Sequence, residues 1–223
     1  GMWDGLKQIF TDPFIRGMAI LLLLADGIGT VNYALMIDYS GTTFADAALR
    51  TRFHADVDLV ANLLTVIVQI GLTRWLLPRK GPGALIMLWA LISIVALLVV
   101  VVSPDPHAPL FSLPLLVGPI APTMLALIVS RGLAYGMAEP ARHSLYTRVP
   151  RNVRYKGQDA VDTAVWRFGD VAIATGMNGL KSVGMTIGGF AAMSALAAFA
   201  AAGIGWKLWK RVETVGETTA SRC

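Results

Sequence analysis

Six apolar runs along the chain are each long enough to cross a bilayer, which takes about 20 residues of helix. The third run has no charged residue and ends before Ser103 and Pro104, whereas the fifth is the least apolar. These runs predict an all-α integral membrane protein with six transmembrane helices, an N-terminal flank at 1–13 and a C-terminal tail at 207–223. The predicted spans are 14–36, 57–77, 84–102, 110–137, 161–185 and 187–206.

Local signals set the limits of several of these helices. Asp12 and Pro13 precede the first apolar run and are typical of a helix start, and Pro78 follows the second run. A turn is expected near Gly184, between the fifth and sixth runs. Gly27 and Gly29 lie inside the first run and are expected to loosen that helix, as in the broken helices of transporter sites.

Basic residues are concentrated in alternate connections between the runs. Most of the 19 lysines and arginines lie in the N-terminal flank, the second-to-third loop, the fourth-to-fifth loop and the C-terminal tail. By the positive-inside rule, both termini are predicted to be cytoplasmic, which suits a multi-pass protein of a bacterial inner membrane. Trp206 and Trp209, beside Lys207 and Lys210, are expected to anchor the last helix at the interface.

Small residues four apart occur twice, at Gly132 and Gly136 and at Gly184 and Gly188. Such spacing places both glycines on one face of a helix, where a neighbouring helix can approach closely. We expect both pairs to serve helix packing.

The composition excludes an ordinary soluble enzyme. Of 223 residues, 55% are hydrophobic and only 15% are charged, whereas a soluble domain carries about a quarter charged residues. The net charge of +5 resides in loops beside the membrane, so nucleic acid is not an expected partner. The three histidines are scattered, the one cysteine is Cys223, and no phosphate-binding loop or nucleophile motif occurs. No catalytic residue, cofactor or metal site is therefore predicted.

The most specific stretch runs from Glu139 to Asp170. It contains Glu139-Pro140-Ala141-Arg142 and Trp166-Arg167-Phe168-Gly169-Asp170. This stretch resembles the cytoplasmic loop between the tenth and eleventh helices of the bacterial and plastid ATP/ADP translocase family. The resemblance implies a fold like that of the major facilitator superfamily, with this chain as the C-terminal six-helix half. Nucleotide exchange is the activity that the family suggests. The nucleotide-exchanging members have a basic residue at the position of Asp170 and an acidic residue near the position of Asn32. Because this chain departs from the family at both positions, a nucleotide substrate is less expected.

Charged residues inside predicted spans are costly and usually face the bundle interior with a partner. From the helical rise of ~1.5 Å per residue, Asp26, Arg131, Arg167 and Asp170 come to comparable depths on three helices. Together with Asn32 and Asn178, they are the candidate substrate or proton pathway. A titrating Asp26 would allow coupling to protons.

Structural roles compete with that interpretation. Arg167 and Asp170 are three residues apart, so they can neutralise each other within one helix. Asp26 can form a salt bridge to Arg131 or to Arg167 between helices.

A second candidate group lies at the cytoplasmic side and consists of Glu139, Arg142 and Asp162. Clusters of this kind hold the cytoplasmic side of a transporter closed in one state and release it in another. The alternative is that the basic residues of this loop follow the orientation rule and contact anionic lipid headgroups. That alternative does not account for the two acidic residues.

Two functions follow from the sequence. The first is a secondary transporter, or its C-terminal half, that moves a small solute of unknown identity by alternating access. The second is an accessory or assembly subunit that keeps a transporter half-fold as a scaffold. Either requires the lipid bilayer and partners: a second six-helix half, a homodimer mate or other membrane subunits. Convergence of the polar residues on one face favours transport, whereas pairing of each one inside the bundle favours a scaffold.

Overall fold

The computed structural model describes residues 7, 9–112, 118–149 and 151–220, without the side chains of 151–156, 164–166 and 215–220. Part of the predicted N-terminal flank, the end of the predicted tail with Cys223, and residues 113–117 of the predicted fourth span lie outside the described residues. Within the described part, most of the chain is helical and forms six long helical rods.

The first rod is a single helix, α1 (Pro13–Thr43). Asp12 caps it as predicted, because its Oδ1 accepts hydrogen bonds from the backbone N–H of Phe14 at 2.7 Å and of Ile15 at 3.4 Å. The helix continues through Gly27 and Gly29, so the expected loosening there is wrong.

The second and third rods meet at Gly81. Helix α2 (Ala47–Val68) continues through a π-helical turn, Gln69–Thr73, into α3 (Arg74–Val102), which is interrupted where Gly81 takes φ 77° and ψ 168°. This left-handed value of φ favours glycine, and Pro82 restarts the helix. The second rod thus begins before the predicted residue 57, because Asp46 caps polar helical turns that a search for apolar runs does not detect. It ends at Gly81, past Pro78.

The fourth rod begins later than predicted. Strands β1 (Phe111–Ser112) and β2 (Pro119–Ile120) form a short antiparallel pair, and α4 (Pro122–Leu133) starts after it. The prolines explain the late start, because proline is favoured in the first helical turn and disfavoured inside. A π-helical turn, Ala134–Ala138, then leads into α5 (Glu139–Tyr146), so the rod extends past residue 137.

Pro140 in this rod is accommodated by a neighbouring helix. It has no N–H to donate to the carbonyl of Gly136, four residues earlier. The hydroxyl of Thr73 donates a buried hydrogen bond to that Gly136 oxygen at 2.6 Å. A carbonyl in the rod interior is thereby satisfied from outside its own helix.

The fifth rod joins α6 (Arg151–Ala164), a π-helical turn (Val165–Gly169) and α7 (Asp170–Ser182), so it begins before the predicted residue 161. Gly184, with φ 85°, ends it where the turn was predicted. The backbone N–H of Met185 donates to the Leu180 carbonyl at 3.0 Å, which satisfies an end of the helix. The sixth rod, α8 (Ile187–Ala220), continues helically into the predicted tail.

Close packing of the rods depends on small residues. A Cβ at Gly132 would lie 2.7 Å from Leu64 Cδ2, and one at Gly136 would lie 2.9 Å from Val68 Cγ1, so this pair packs the fourth rod against α2 as predicted. Gly184 has no neighbour within 4 Å and serves the turn, so the packing role predicted for the pair at Gly184 and Gly188 is wrong.

The segments that the sequence analysis assigned to one side for their lysines and arginines lie at one end of the bundle, here called the basic end. Phe14 stacks edge-on against Tyr146 with ring centroids 6.0 Å apart, and Trp209 lies against Gly81. The Arg148 guanidinium lies 4.8 Å from the ring centroid of Trp209. The start of α1, the turn at Gly81, the end of α5 and the Trp209 region of α8 therefore share this end.

Among the described residues, three helical stretches are long and apolar enough to cross a membrane: Pro13–Thr43, Ala47–Val102, which includes the interruption at Gly81, and Ile187–Thr214. Large apolar side chains also cover the outside of the bundle in helical stripes. On α3 the exposed stripe consists of Leu91, Val95, Leu98 and Val102. Such continuous apolar surface is rare on water-soluble proteins and is compatible with a membrane protein.

Candidate functional site

A cavity of about 530 Å³ lies between the rods. Two helical stripes form its main walls. Asp26, Thr30, Tyr33 and Ile37 follow one another at the three- and four-residue spacing that places them on one face of α1. The stripe on the fourth rod has the same spacing and comprises Leu127, Ser130, Arg131, Ala134, Tyr135 and Ala138.

Three further rods complete the lining with one or two residues each. Asp58 comes from α2, Trp89 from α3 and Asp170 from the start of α7. Glu139 and Arg142 of α5 line the part nearest the basic end. Asp26, Arg131 and Asp170, which the sequence singled out, are thus brought to one cavity.

Asp26 and Asp170 form an acidic pair across the cavity. The Oδ2 atom of Asp26 is buried and has no hydrogen-bond partner among the described residues. The Asp170 Oδ1 accepts a hydrogen bond from the Thr30 hydroxyl at 2.8 Å, and the two carboxylates are close enough for their charges to interact. The expected salt bridge from Asp26 to Arg131 or Arg167 is wrong among the described side chains.

Arg131 pairs with a different carboxylate, that of Asp58. Both side chains are about one-third exposed and both line the cavity. The pair joins α4 to α2 and gives the charge of Arg131 a partner within the chain. Asp58 lies at the start of the predicted second span, where a carboxylate is expected at the membrane surface. The sequence therefore did not indicate that it belongs to the site.

Three other predicted site residues lie elsewhere. Asn32 is buried on α1 and donates to the Ser130 hydroxyl at 3.1 Å, so it links two helices behind the cavity wall. Asn178 is exposed and does not line the cavity. Arg167 is exposed in the π-helical turn and forms no ion pair with Asp170 within the part of the chain that the structure describes, so the expected intrahelical pair is wrong.

The predicted cytoplasmic cluster forms as a connected group. The Arg142 side chain is 4% exposed. It donates to both oxygens of Glu139, at 2.9 and 2.5 Å, and to Asp162 Oδ1 at 2.8 Å. His143 Nε2 lies 3.0 Å from the same Glu139 carboxylate. Arg142 therefore ties α5 to α6 at the basic end of the cavity.

The cluster shifts the pKa values of Glu139 and Arg142, which lie beyond the predicted fourth span. Burial raises the pKa of Glu139, but hydrogen bonds from His143 and Arg142 and the charge of Arg142 outweigh it and lower the pKa to about 2. Burial lowers the pKa of Arg142, but the bonds and charges of Glu139 and Asp162 outweigh that effect and raise it. The pair is fully ionised at neutral pH.

The aromatic side chains of the cavity are residues that the sequence did not single out. Trp89 is buried and its indole N–H donates to the Ser130 carbonyl at 3.0 Å. Tyr33 and Tyr135 are exposed at the edge of the cavity. Aromatic residues in apolar runs are common, so only the packing of the helices distinguishes these three. No group of three or more histidine, cysteine or acidic side chains suited to a metal ion occurs in the described part of the chain.

No protein-family description, no curated protein and no solved structure matches this chain.

Proposed function

We propose that this chain is a multi-pass protein of a bacterial inner membrane, with six transmembrane helices and both termini on the cytoplasmic side. Three apolar helices of sufficient length, the apolar stripes outside the bundle and the shared basic end support the proposal. The basic end faces the cytoplasm in this arrangement, in line with the positive-inside rule.

Within that membrane, we propose that the chain forms one cavity-bearing half of a secondary transporter related to the ATP/ADP translocases. The cavity of about 530 Å³ is the observation that carries this proposal, because it falls in the range of small-molecule sites and is lined by ionisable groups, which are costly inside a membrane and usually serve a function there. The acidic pair, Asp26 and Asp170, offers a place where a proton can be exchanged for solute. A solute site between two six-helix halves is the arrangement that alternating access requires.

The cavity requires a second wall. Tyr33, Ile37 and Tyr135 line it and remain exposed, so it is open on that side. We propose that another six-helix half, a second copy of the chain or another membrane subunit covers this opening.

The Arg142 cluster is the proposed cytoplasmic gate. It joins α5 to α6 at the end of the cavity nearest the basic loops. In this account the contact between Arg142 and Asp162 forms when the cavity is closed to the cytoplasm and separates when it opens.

The second candidate is an accessory subunit. One observation favours it: Arg131 is paired with Asp58 and Asp170 with Thr30, so two of the polar groups are satisfied within the chain. In that case the cavity is filled or covered by a permanent neighbour and never faces both sides of the membrane.

Thiol accessibility in native membranes distinguishes the two. With Cys223 replaced by serine, Ala34→Cys and Ala134→Cys place a thiol at the cavity, whereas Leu91→Cys and Leu196→Cys are controls on the outer apolar surface. A transporter predicts that a membrane-impermeant maleimide labels both cavity positions from either side of the membrane and labels neither control. Labelling of the cavity positions from one side at most would reject alternating access.

A further inference from the structure

We propose that this cavity binds a small organic cation, with its positive charge between Asp26 and Asp170. The inference rests on the proposed solute cavity and specifies the chemical class of its ligand. It follows from which charges in the cavity are already neutralised, from the unpaired carboxylate oxygen and from the aromatic lining.

The two arginines of the cavity already contact carboxylates of this chain. Arg131 is paired with Asp58, and Arg142 is shared between Glu139 and Asp162. A carboxylate in contact with a guanidinium cancels part of its attraction for other anions. An anionic ligand at either side chain therefore has to compete with a carboxylate that is already in place.

The acidic pair is left with net negative charge. Among the described side chains, neither Asp26 nor Asp170 has a basic partner, and the hydrogen bond that Asp170 Oδ1 accepts from Thr30 is a neutral one. Two ionised carboxylates that lie close together repel each other. A cation between them removes that repulsion and satisfies the buried Oδ2 of Asp26.

The rest of the lining suits the body of an organic cation. Tyr33 and Tyr135 bring aromatic rings to the opening, and aromatic faces attract cations. Leu21 and Ile37 supply apolar contacts. The indole N–H of Trp89 is already committed to the Ser130 carbonyl, so it is not available to an anion.

Two probes of matched shape and opposite charge test this directly. Tetraphenylphosphonium and tetraphenylborate are added to the whole protein in zwitterionic nanodiscs, and binding to empty nanodiscs is subtracted. We expect saturable binding of the cation and none of the anion. Asp26→Asn and Asp170→Asn should each weaken binding of the cation by about 30-fold or more, because each removes one of the two carboxylates that contact its positive charge.

A control variant removes the same charge outside the cavity. Asp159 is exposed on α6 and does not line the cavity, so Asp159→Asn should bind the cation within about twofold of wild type. Equal or tighter binding of tetraphenylborate, the absence of saturable cation binding, or unchanged binding in both cavity variants would overturn the proposal. The contrast between the two probes on the wild-type chain decides the matter even where a variant does not fold.

The outcomes separate this inference from the proposed transport. Labelling of Ala134→Cys from both sides, without charge selectivity between the probes, would reject the cation and leave alternating access intact. Charge-selective binding that depends on Asp26 and Asp170, with labelling from one side at most, would retain the cation site and reject transport.

Discussion

Replacement of Arg142 by methionine tests how much the cluster at the basic end stabilises the fold. Methionine keeps much of the length of the side chain and removes the guanidinium. Three hydrogen bonds are lost, and Glu139 and Asp162 lose the guanidinium that they share. Removing one partner of a buried ion pair costs about 3–5 kcal/mol.

The lower part of that range applies here. The Glu139 and Asp162 side chains are 28% and 33% exposed, so water screens them in part, whereas Arg142 is 4% exposed. We therefore expect Arg142→Met to lower the free energy of unfolding by about 3 kcal/mol. The triple variant with Glu139→Gln and Asp162→Asn should recover most of this loss, because it removes all three charges together.

The assay is reversible unfolding of the reconstituted protein in increasing mole fractions of SDS. Lys210→Met is the matched control, because Lys210 pairs with Glu213 at 2.8 Å on the exposed surface, where an ion pair contributes less than about 1 kcal/mol. A loss for Arg142→Met no larger than that of the control would refute the reasoning. So would a triple variant that is less stable than the single one.

Three further predictions concern packing and pH. Gly136→Val should lower the free energy of unfolding by about 1–3 kcal/mol, because a Cβ at this position would lie only 2.9 Å from Val68. Gly179 has no neighbour within 4 Å, so Gly179→Val should lose less stability in the same unfolding assay. Thr73→Val should cost about 1–3 kcal/mol by leaving the buried Gly136 carbonyl unsatisfied, and equal stability of this variant and wild type would contradict the role given to Thr73. The pKa of Glu139 is lowered from 4.5 to about 2 in the folded protein, so its ionised form stabilises the fold above pH 4.5. This contribution is lost as the pH falls from 4.5 through about 2. Between these values, the stability of Glu139→Gln should therefore fall less steeply with pH than that of wild type.

The sequence predicted the apolar centres of the helices better than their ends. Helix α2 starts at Ala47 and α6 at Arg151, well before the predicted starts, because polar turns extend a helix beyond the apolar stretch that a bilayer requires. The predicted start of the fourth rod was too early instead of too late, because the apolar residues before Pro122 include a short strand pair. Gly184 was placed correctly because a turn with positive φ requires a residue without a Cβ.

The site shows a similar division. Arg142 was grouped correctly with Glu139 and Asp162, since acidic residues in a basic loop need a partner. The partner of Arg131 was not predictable, because Asp58 lies 73 positions away and the pairing depends on how α2 packs against α4. Helix packing likewise decides which polar residues face the cavity, and hydropathy carries no information on that rotation.

The measurement that tests the central claim most directly is the rate at which a membrane-impermeant maleimide labels Ala134→Cys from each side of the native membrane. Ala134 lines the cavity between Arg131 and Ala138 on the same helical face. The account predicts labelling from both sides, at rates that differ because one state is more populated. Leu91→Cys on the outer surface is the control and should not react from either side. Labelling of Ala134→Cys from one side at most would contradict a cavity that alternates between the two faces of the membrane.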